Sequence, residues 1–403
     1  MSRHKSAVIV LALYGVCSLA ASAQEQDVIG RLRAELEAQR AVNSELLQRV
    51  AALEASQTAI LEKIQAVERA MPDEESVREE RQALIEELRY DYFDLQERLN
   101  LLPTLSGYYD FVYTNDDRED SRGEFNQHWL SLHLTKEWAN WRFFSEVEFE
   151  HGVLFEGEGG TALEEARGEV KLEQCWAEHV HSDLLTLRAG LILTPGYWNV
   201  NHYPNVVLST ARPLMVRSVF RESFVGLMAY GTSYWGDFGV TYRAYVGNGQ
   251  SVYFTRHDDN EGKAVGAKVS FHIPTKGKLD QLDLGLHLYH ESPSDEDRVL
   301  TWGLDAQLRK GPWEVLSELA AKDAEEDRTG FYLQPSYRFN ERWAVFYRYD
   351  LLEIEHDDRT QEHTVGVNFR PIPEVSLKLE YFHSIHAEDD DYNGVTASIA
   401  VAF

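Results

Sequence analysis

The charged residues that could do chemistry in this chain gather in and around one segment. Pro195 to Phe220 reads PGYWNVNHYPNVVLSTARPLMVRSVF, 26 residues without strand alternation, and carries His202, Arg212 and Arg217, with Arg221 directly after it. Flanking segments add Arg142, Glu146 and Glu148, then Arg188. Fixed charges at a narrowing select ions by sign. Mixed signs set up a transverse field, which favours small polar or zwitterionic solutes. A second role is open to the same arginines: pinning the segment to a wall through Glu146, Glu148 and Glu150. The two roles are compatible. Bond-making chemistry has no such support. There is no Gly-x-Ser-x-Gly and no phosphate-cradling glycine loop. His179 and His181 lie two apart with no Cys or Glu at metal-ligand spacing. No catalytic residue, metal or other cofactor, or nucleic-acid partner is expected, and the chain does not read as an enzyme.

The elements that must position these charges are strands. After Pro103 the sequence period is two, and sixteen strands are predicted at 104–114, 124–138, 141–151, 167–181, 184–194, 221–234, 238–248, 262–274, 280–290, 299–309, 313–322, 329–339, 342–354, 361–370, 374–386 and 393–403. Leu282, Leu284, Leu286 and Leu288 oppose Asp283, Gly285 and His287; Val375, Leu377, Leu379 and Tyr381 oppose Ser376, Lys378 and Glu380. The last strand sets Val395, Ala397, Ile399, Val401 and Phe403 against Thr396, Ser398, Ala400 and Ala402. Such strands show one face to lipid and the other to a wet or crowded interior. The fourth strand does not alternate clearly.

Connections alternate between tight turns, such as Ala139-Asn140 and Gly236-Asp237, and longer acidic loops, such as Asp116-Asp117, Glu325–Asp327 and Asp357-Asp358. Trp138, Trp141, Trp235, Trp313 and Trp343 all sit beside tight turns, as aromatics do at a membrane interface. The expected fold is all-β: a 16-stranded antiparallel transmembrane barrel over 104–403, even in strand number, with both ends on the periplasmic side. The interior of a barrel this size is wide enough for water. A 26-residue connection rich in aromatics is then expected to fold into the lumen and narrow it.

Ahead of the barrel the period is seven. Ile29, Leu32, Leu36, Gln39, Asn43, Leu46, Val50, Leu53, Gln57, Ile60, Ile64, Val67 and Met71 form a seam with gaps of three and four. A helix with this repeat supercoils with partners, here over roughly 63 Å. Residues 24–103 are read as a periplasmic coiled coil and connecting helix, and residues 1–23 as a signal peptide with a basic start, an apolar stretch and Ala21-Ser22-Ala23. One cysteine, Cys175, then remains, which excludes an intrachain disulfide framework. The formal net charge is −28, of which residues 1–103 carry −6. Most of the rest lies in the longer loops, where no calcium-site pattern is evident.

The stretch LRAGLILTPGYWNVNHYPNVVLSTARPLM, residues 187–215, resembles the fifth strand and following loop of outer-membrane porins related to the phosphate-selective group. The rod before the barrel resembles that of sucrose porins and DcaP-like porins. The resemblance implies a homotrimer in the outer membrane, in contact with lipid and lipopolysaccharide. It also implies Phe403 as a signal read by the barrel assembly machinery. The acidic balance departs from phosphate-selective porins, so no solute follows. The function expected is passive or weakly selective diffusion of small hydrophilic solutes. The alternative is a structural anchor whose coiled coil tethers the membrane to peptidoglycan, which retention on purified peptidoglycan with and without residues 24–103 would separate.

Overall fold

The computed structural model describes residues 102–403 apart from 119–120, 153–167, 217, 250–261, 293–297, 356–357 and 388–389, with separate positions between 52 and 66 and between 82 and 92. The chain divides into Met1–Leu102 and Pro103–Phe403. In the first unit every described position from 52 to 92 is helical, with Ile60, Ile85, Leu88 and Tyr92 half-buried. The signal peptide and most of the heptad seam lie outside the described residues.

The second unit is a closed antiparallel barrel of sixteen strands, each paired with its neighbours in sequence and β1 with β16. The strands are β1 (Thr104–Asp116), β2 (Glu124–Trp138), β3 (Trp141–Glu150), β4 (Val170–Ser182), β5 (Leu185–Leu193), β6 (Ser223–Trp235), β7 (Phe238–Asn248) and β8 (Lys263–His272). They continue as β9 (Gln281–Glu291), β10 (Val299–Lys310), β11 (Trp313–Asp323), β12 (Arg328–Arg338), β13 (Trp343–Ile354), β14 (Asp358–Ile372), β15 (Val375–His386) and β16 (Tyr392–Ala402). Beyond β16, the Phe403 amide donates to the Gly107 carbonyl at 3.0 Å and the Gly107 amide to the Phe403 carbonyl at 2.8 Å. A side chain at Gly107 would meet the Phe403 ring and the Ser131 carbonyl, so glycine lets the seam close.

The barrel is inside-out relative to a soluble protein. On β15, Leu377, Leu379 and Tyr381 are exposed, whereas Ser376, Lys378 and Glu380 are buried. On β9, Leu284, Leu286 and Leu288 are exposed while His287, Tyr289 and Glu291 are buried. Exposing leucine costs about 25 cal/mol for each Å² of apolar surface in water, a cost that lipid removes. Polar groups turned inward keep hydrogen-bonding partners. Trp138, Trp141, Trp235, Trp313 and Trp343 are all exposed at the tight-turn end, joined by Tyr234 and Phe339, as a girdle at the edge of the apolar belt. Among the described residues no helix is long and apolar enough to cross a membrane.

Two details differ from the sequence expectation. The β11–β12 and β13–β14 connections, expected to be long, are short: four residues separate Asp323 from Arg328, and three separate Ile354 from Asp358. The ladders there run on into the acidic residues, so charge does not mark the strand end. On β4, register shifts fall opposite Glu146/Val147 and between Val180 and Ser182. Each bulge places an unpaired residue in the strand and flips the alternation, which is why its faces do not read from the sequence.

Candidate functional site: a loop folded into the lumen

The segment between β5 and β6, Thr194–Glu222, enters the lumen and follows its wall. Its first turn is a short helix, α1 (Tyr197–Asn201). The unpaired N–H groups of Tyr197 and Trp198 both donate to the Glu318 carboxylate on β11, at 2.9 Å each. Tyr332 on β12 donates to the same carboxylate at 3.1 Å. β11 is six strands from β5, so the loop spans the interior at its first turn. The chain then turns to the β1–β4 wall. Tyr203 donates to Glu146 at 3.4 Å, and its ring meets Tyr108 and His133 edge-on.

The next limb, Val206–Leu214, lies against β13–β16 and is held by buried ions. Arg348 on β13 is fully buried; it binds Asp350 at 2.5 Å and donates to Ser209 Oγ and the Ala211 carbonyl at 2.8 Å each. Asp350 in turn accepts the Leu214 N–H at 3.2 Å. Lys378 donates to the Ser209 carbonyl at 2.9 Å, Asn368 to the Leu208 carbonyl at 3.1 Å, and the Thr210 N–H donates to Glu380. A guanidinium with five donors in a fixed fork suits several loop carbonyls at once.

The return limb is mainly packed, with one charged bond among the described residues, from Arg328 to the Ser218 carbonyl at 3.1 Å. Met215 and Val219 are buried against Ala320 and Tyr332. A side chain at Gly330 on β12 would overlap Met215, so the glycine is what lets the limb approach the wall. Phe220 stacks on His287 with ring centroids 4.3 Å apart.

The sequence-predicted residues divide between sites. Arg212 is on the loop, paired with Glu222 at 3.1 Å, with its guanidinium 4.7 Å over the Trp129 ring. Arg221 reaches Glu291 at 3.9 Å and donates to the Ser223 carbonyl at 2.9 Å. These pairings do not match the predicted pinning through Glu146, Glu148 and Glu150. Glu146 instead takes Ser131, His133 and Gln174 at 2.9–3.0 Å, and Glu148 takes the Tyr108 hydroxyl at 2.8 Å. Glu146 and Glu148 are thus bonded by Ser, His, Gln and Tyr side chains of the β1–β4 wall, and no loop arginine among the described residues is paired with them. Arg217 lies outside the described residues.

His202 is 5 % exposed and bonds the Asn199 carbonyl at 2.7 Å, so it supports the loop and does not line a passage. Burial pushes its imidazole below the ordinary histidine range, against the pull of Glu146. Arg142 and Arg188 share the Glu178 carboxylate, at 3.0 and 2.8 Å, toward the tight-turn end and away from the loop. Arg188 also lies 3.7 Å over the Trp176 ring. The sequence assigns no anchoring role to Glu318, Arg348, Lys378 or Glu380; Lys378 and Glu380 read there only as one face of an alternating strand. Their partners are 120 to 170 residues away, and strand alternation signals only that they face inward.

Neither a family profile nor a curated sequence matches the chain. Solved structures do. An anion-selective porin from Comamonas acidovorans matches with TM-score 0.57 and 14% identity over 75% of this chain and 99% of that one. OprB of Pseudomonas putida matches with TM-score 0.58 and 11% identity over 77% and 96%. OmpF of Salmonella typhi, solved with daunomycin, matches with TM-score 0.56 and 9% identity over 75% and 97%. The barrel therefore has the fold of outer-membrane porins.

Proposed function

We propose that this chain is an outer-membrane channel for passive or weakly selective diffusion of small hydrophilic solutes, narrowed by Thr194–Glu222. The observation that carries the proposal is the loop itself, folded inward and fixed to Glu318, Arg348 and Lys378 on the far wall. A barrel that served only as an anchor has no use for such an internal structure. The porin likeness of the fold supports the same reading, as does the apolar outer face.

Arg212, Arg217 and Arg221 are the charges proposed to set ion preference. Residues 1–23 are proposed as a cleaved leader and 24–103 as a periplasmic coiled coil, as in sucrose and DcaP-like porins. The heptad seam supports self-association of the chains, with the trimer resting on the porin likeness. Planar-bilayer recording of the purified chain tests this, with stepwise openings in groups of three expected. Alanine at all three arginines is expected to move the reversal potential in a salt gradient toward cations. An unchanged potential would remove the arginines from the path, and a folded barrel without conductance would overturn the channel itself.

A further inference from the structure

A polar cleft of about 370 Å³ lies at the long-loop end of the lumen, between the loop's return limb and the inner faces of β9–β12. Its charges are Arg221, Glu222, Glu291, Lys322 and Arg328, and Thr301 is on the same wall. Both carboxylates already serve cations. Glu222 takes Lys171 and Arg212 at 3.1 Å each, and Glu291 accepts the Tyr289 hydroxyl at 2.8 Å with Arg221 at 3.9 Å. Arg328 is paired with Glu326 and donates to the Ser218 carbonyl at 3.1 Å. The Lys322 ammonium has no hydrogen bond or ion pair among the described residues.

Lys322 stands directly opposite Arg328 in the β11–β12 ladder and opposite Thr301 in the β10–β11 ladder. Like charges facing across a ladder are unfavourable, more so near a low-dielectric wall. An anion between them reverses the sign of that interaction. Glu326 is taken up by Arg328, which leaves the Lys322 ammonium as the charge of the cleft with no carboxylate bonded to it among the described residues, and Val219, Phe220 and Val299 give the cleft an apolar side.

We propose that this cleft binds a small monovalent organic anion, a carboxylate of a few carbons, between Lys322 and Arg328, with its apolar end toward Phe220. The site shares Arg221 and Glu222 with the proposed constriction and adds Lys322 and Arg328 to it. It gives the proposed channel a solute-binding station at its mouth, and so rests on that channel for its purpose but not for its detection.

The test uses propionate and its neutral isostere propionamide on the detergent-solubilised full chain, by ligand-observed NMR. Lys322→Met and Lys322→Arg variants are compared after a heat-modifiable gel shift establishes folding. Propionate is expected to bind the parent chain and propionamide not to. Lys322→Met should weaken propionate about tenfold, as expected for a charged hydrogen bond, and Lys322→Arg should restore it. Equal binding by the parent and Lys322→Met, or equal binding of propionamide, overturns the site. Bilayer conductance against propionate concentration separates the two proposals. Saturation in the parent and a linear rise in Lys322→Met support both. Binding as expected with no conductance keeps the site and removes the channel. Linear conductance in both chains, with no binding, keeps the channel and removes the site.

Discussion

The two limbs of the inserted loop are held by different physics. Val206–Leu214 is fixed by buried charges: Arg348, Asp350, Lys378 and Glu380 each bond a loop backbone group. Met215–Phe220 is fixed mainly by fit, against Ala320, Tyr332 and the bare backbone of Gly330, with a single charged bond from Arg328 to Ser218 among the described residues. Ion anchoring fixes geometry, and removing one partner leaves a buried charge alone, which costs several kcal/mol. Apolar packing yields by degrees, in proportion to the volume lost or added. One limb is expected to fail abruptly and the other gradually.

The largest effect is expected at Arg348. Methionine there leaves Asp350 uncompensated and the Ser209, Ala211 and Arg212 oxygens without the guanidinium, at about 3–5 kcal/mol. Single-channel conductance should rise and become noisy, and the heat-modifiable transition should fall. Replacing Asp350 with leucine as well should recover much of the thermal loss but not the quiet conductance. If Arg348→Met alone leaves both readouts unchanged, charge is not what holds this limb.

A smaller effect is expected on the packed limb. Gly330→Val drives a branched side chain into Met215, at about 1–3 kcal/mol, and should alter conductance modestly without the noise. Met215→Gly in the same chain should relieve it. A Gly330→Val chain as noisy as Arg348→Met would show that the limbs move as one body.

The smallest effect is a dependence on pH at the turn before the ion-held limb. Burial lowers the His202 pKa, so the folded chain holds that proton less tightly than the unfolded chain does. The associated stability is therefore complete above the ordinary histidine pKa of about 6.5 and is lost as pH falls through the folded value. Amide exchange over residues 197–203 should quicken, relative to its intrinsic rate, from pH 7.5 to pH 5. His202→Phe should flatten that dependence, and a dependence unchanged in His202→Phe would assign it elsewhere.

The barrel was legible because lipid imposes a period that survives in most strands, the twice-bulged β4 excepted. Leu377, Leu379 and Tyr381 read outward from the sequence and are exposed in the structure. The inward course of 195–220 was legible too, from its length and aromatics. The roles of its charges were not. Alternation places Glu146 inside, but Ser131, His133 and Gln174 claim it through strand register, which depends on bulges invisible in one sequence. His202 looked like a constriction residue because a histidine among arginines resembles one. Its burial is set by how the loop folds on itself, through Asn199. Lys322 carries no signal in the sequence, being one ordinary inward lysine until the ladder sets Arg328 across from it.

The Glu318 attachment has a mechanical consequence. An empty ring of sixteen strands resists flattening only through its own curvature, whereas here the chain leaving β5 is fastened to β11, six strands round the circumference. That span works as a spoke. Lateral pressure from the surrounding lipid would have to break Glu318 from Tyr197 and Trp198 before the ring could become an oval. The segment that obstructs the opening thus also keeps it round, and cutting it at that point should change the outline of the hole as well as its area.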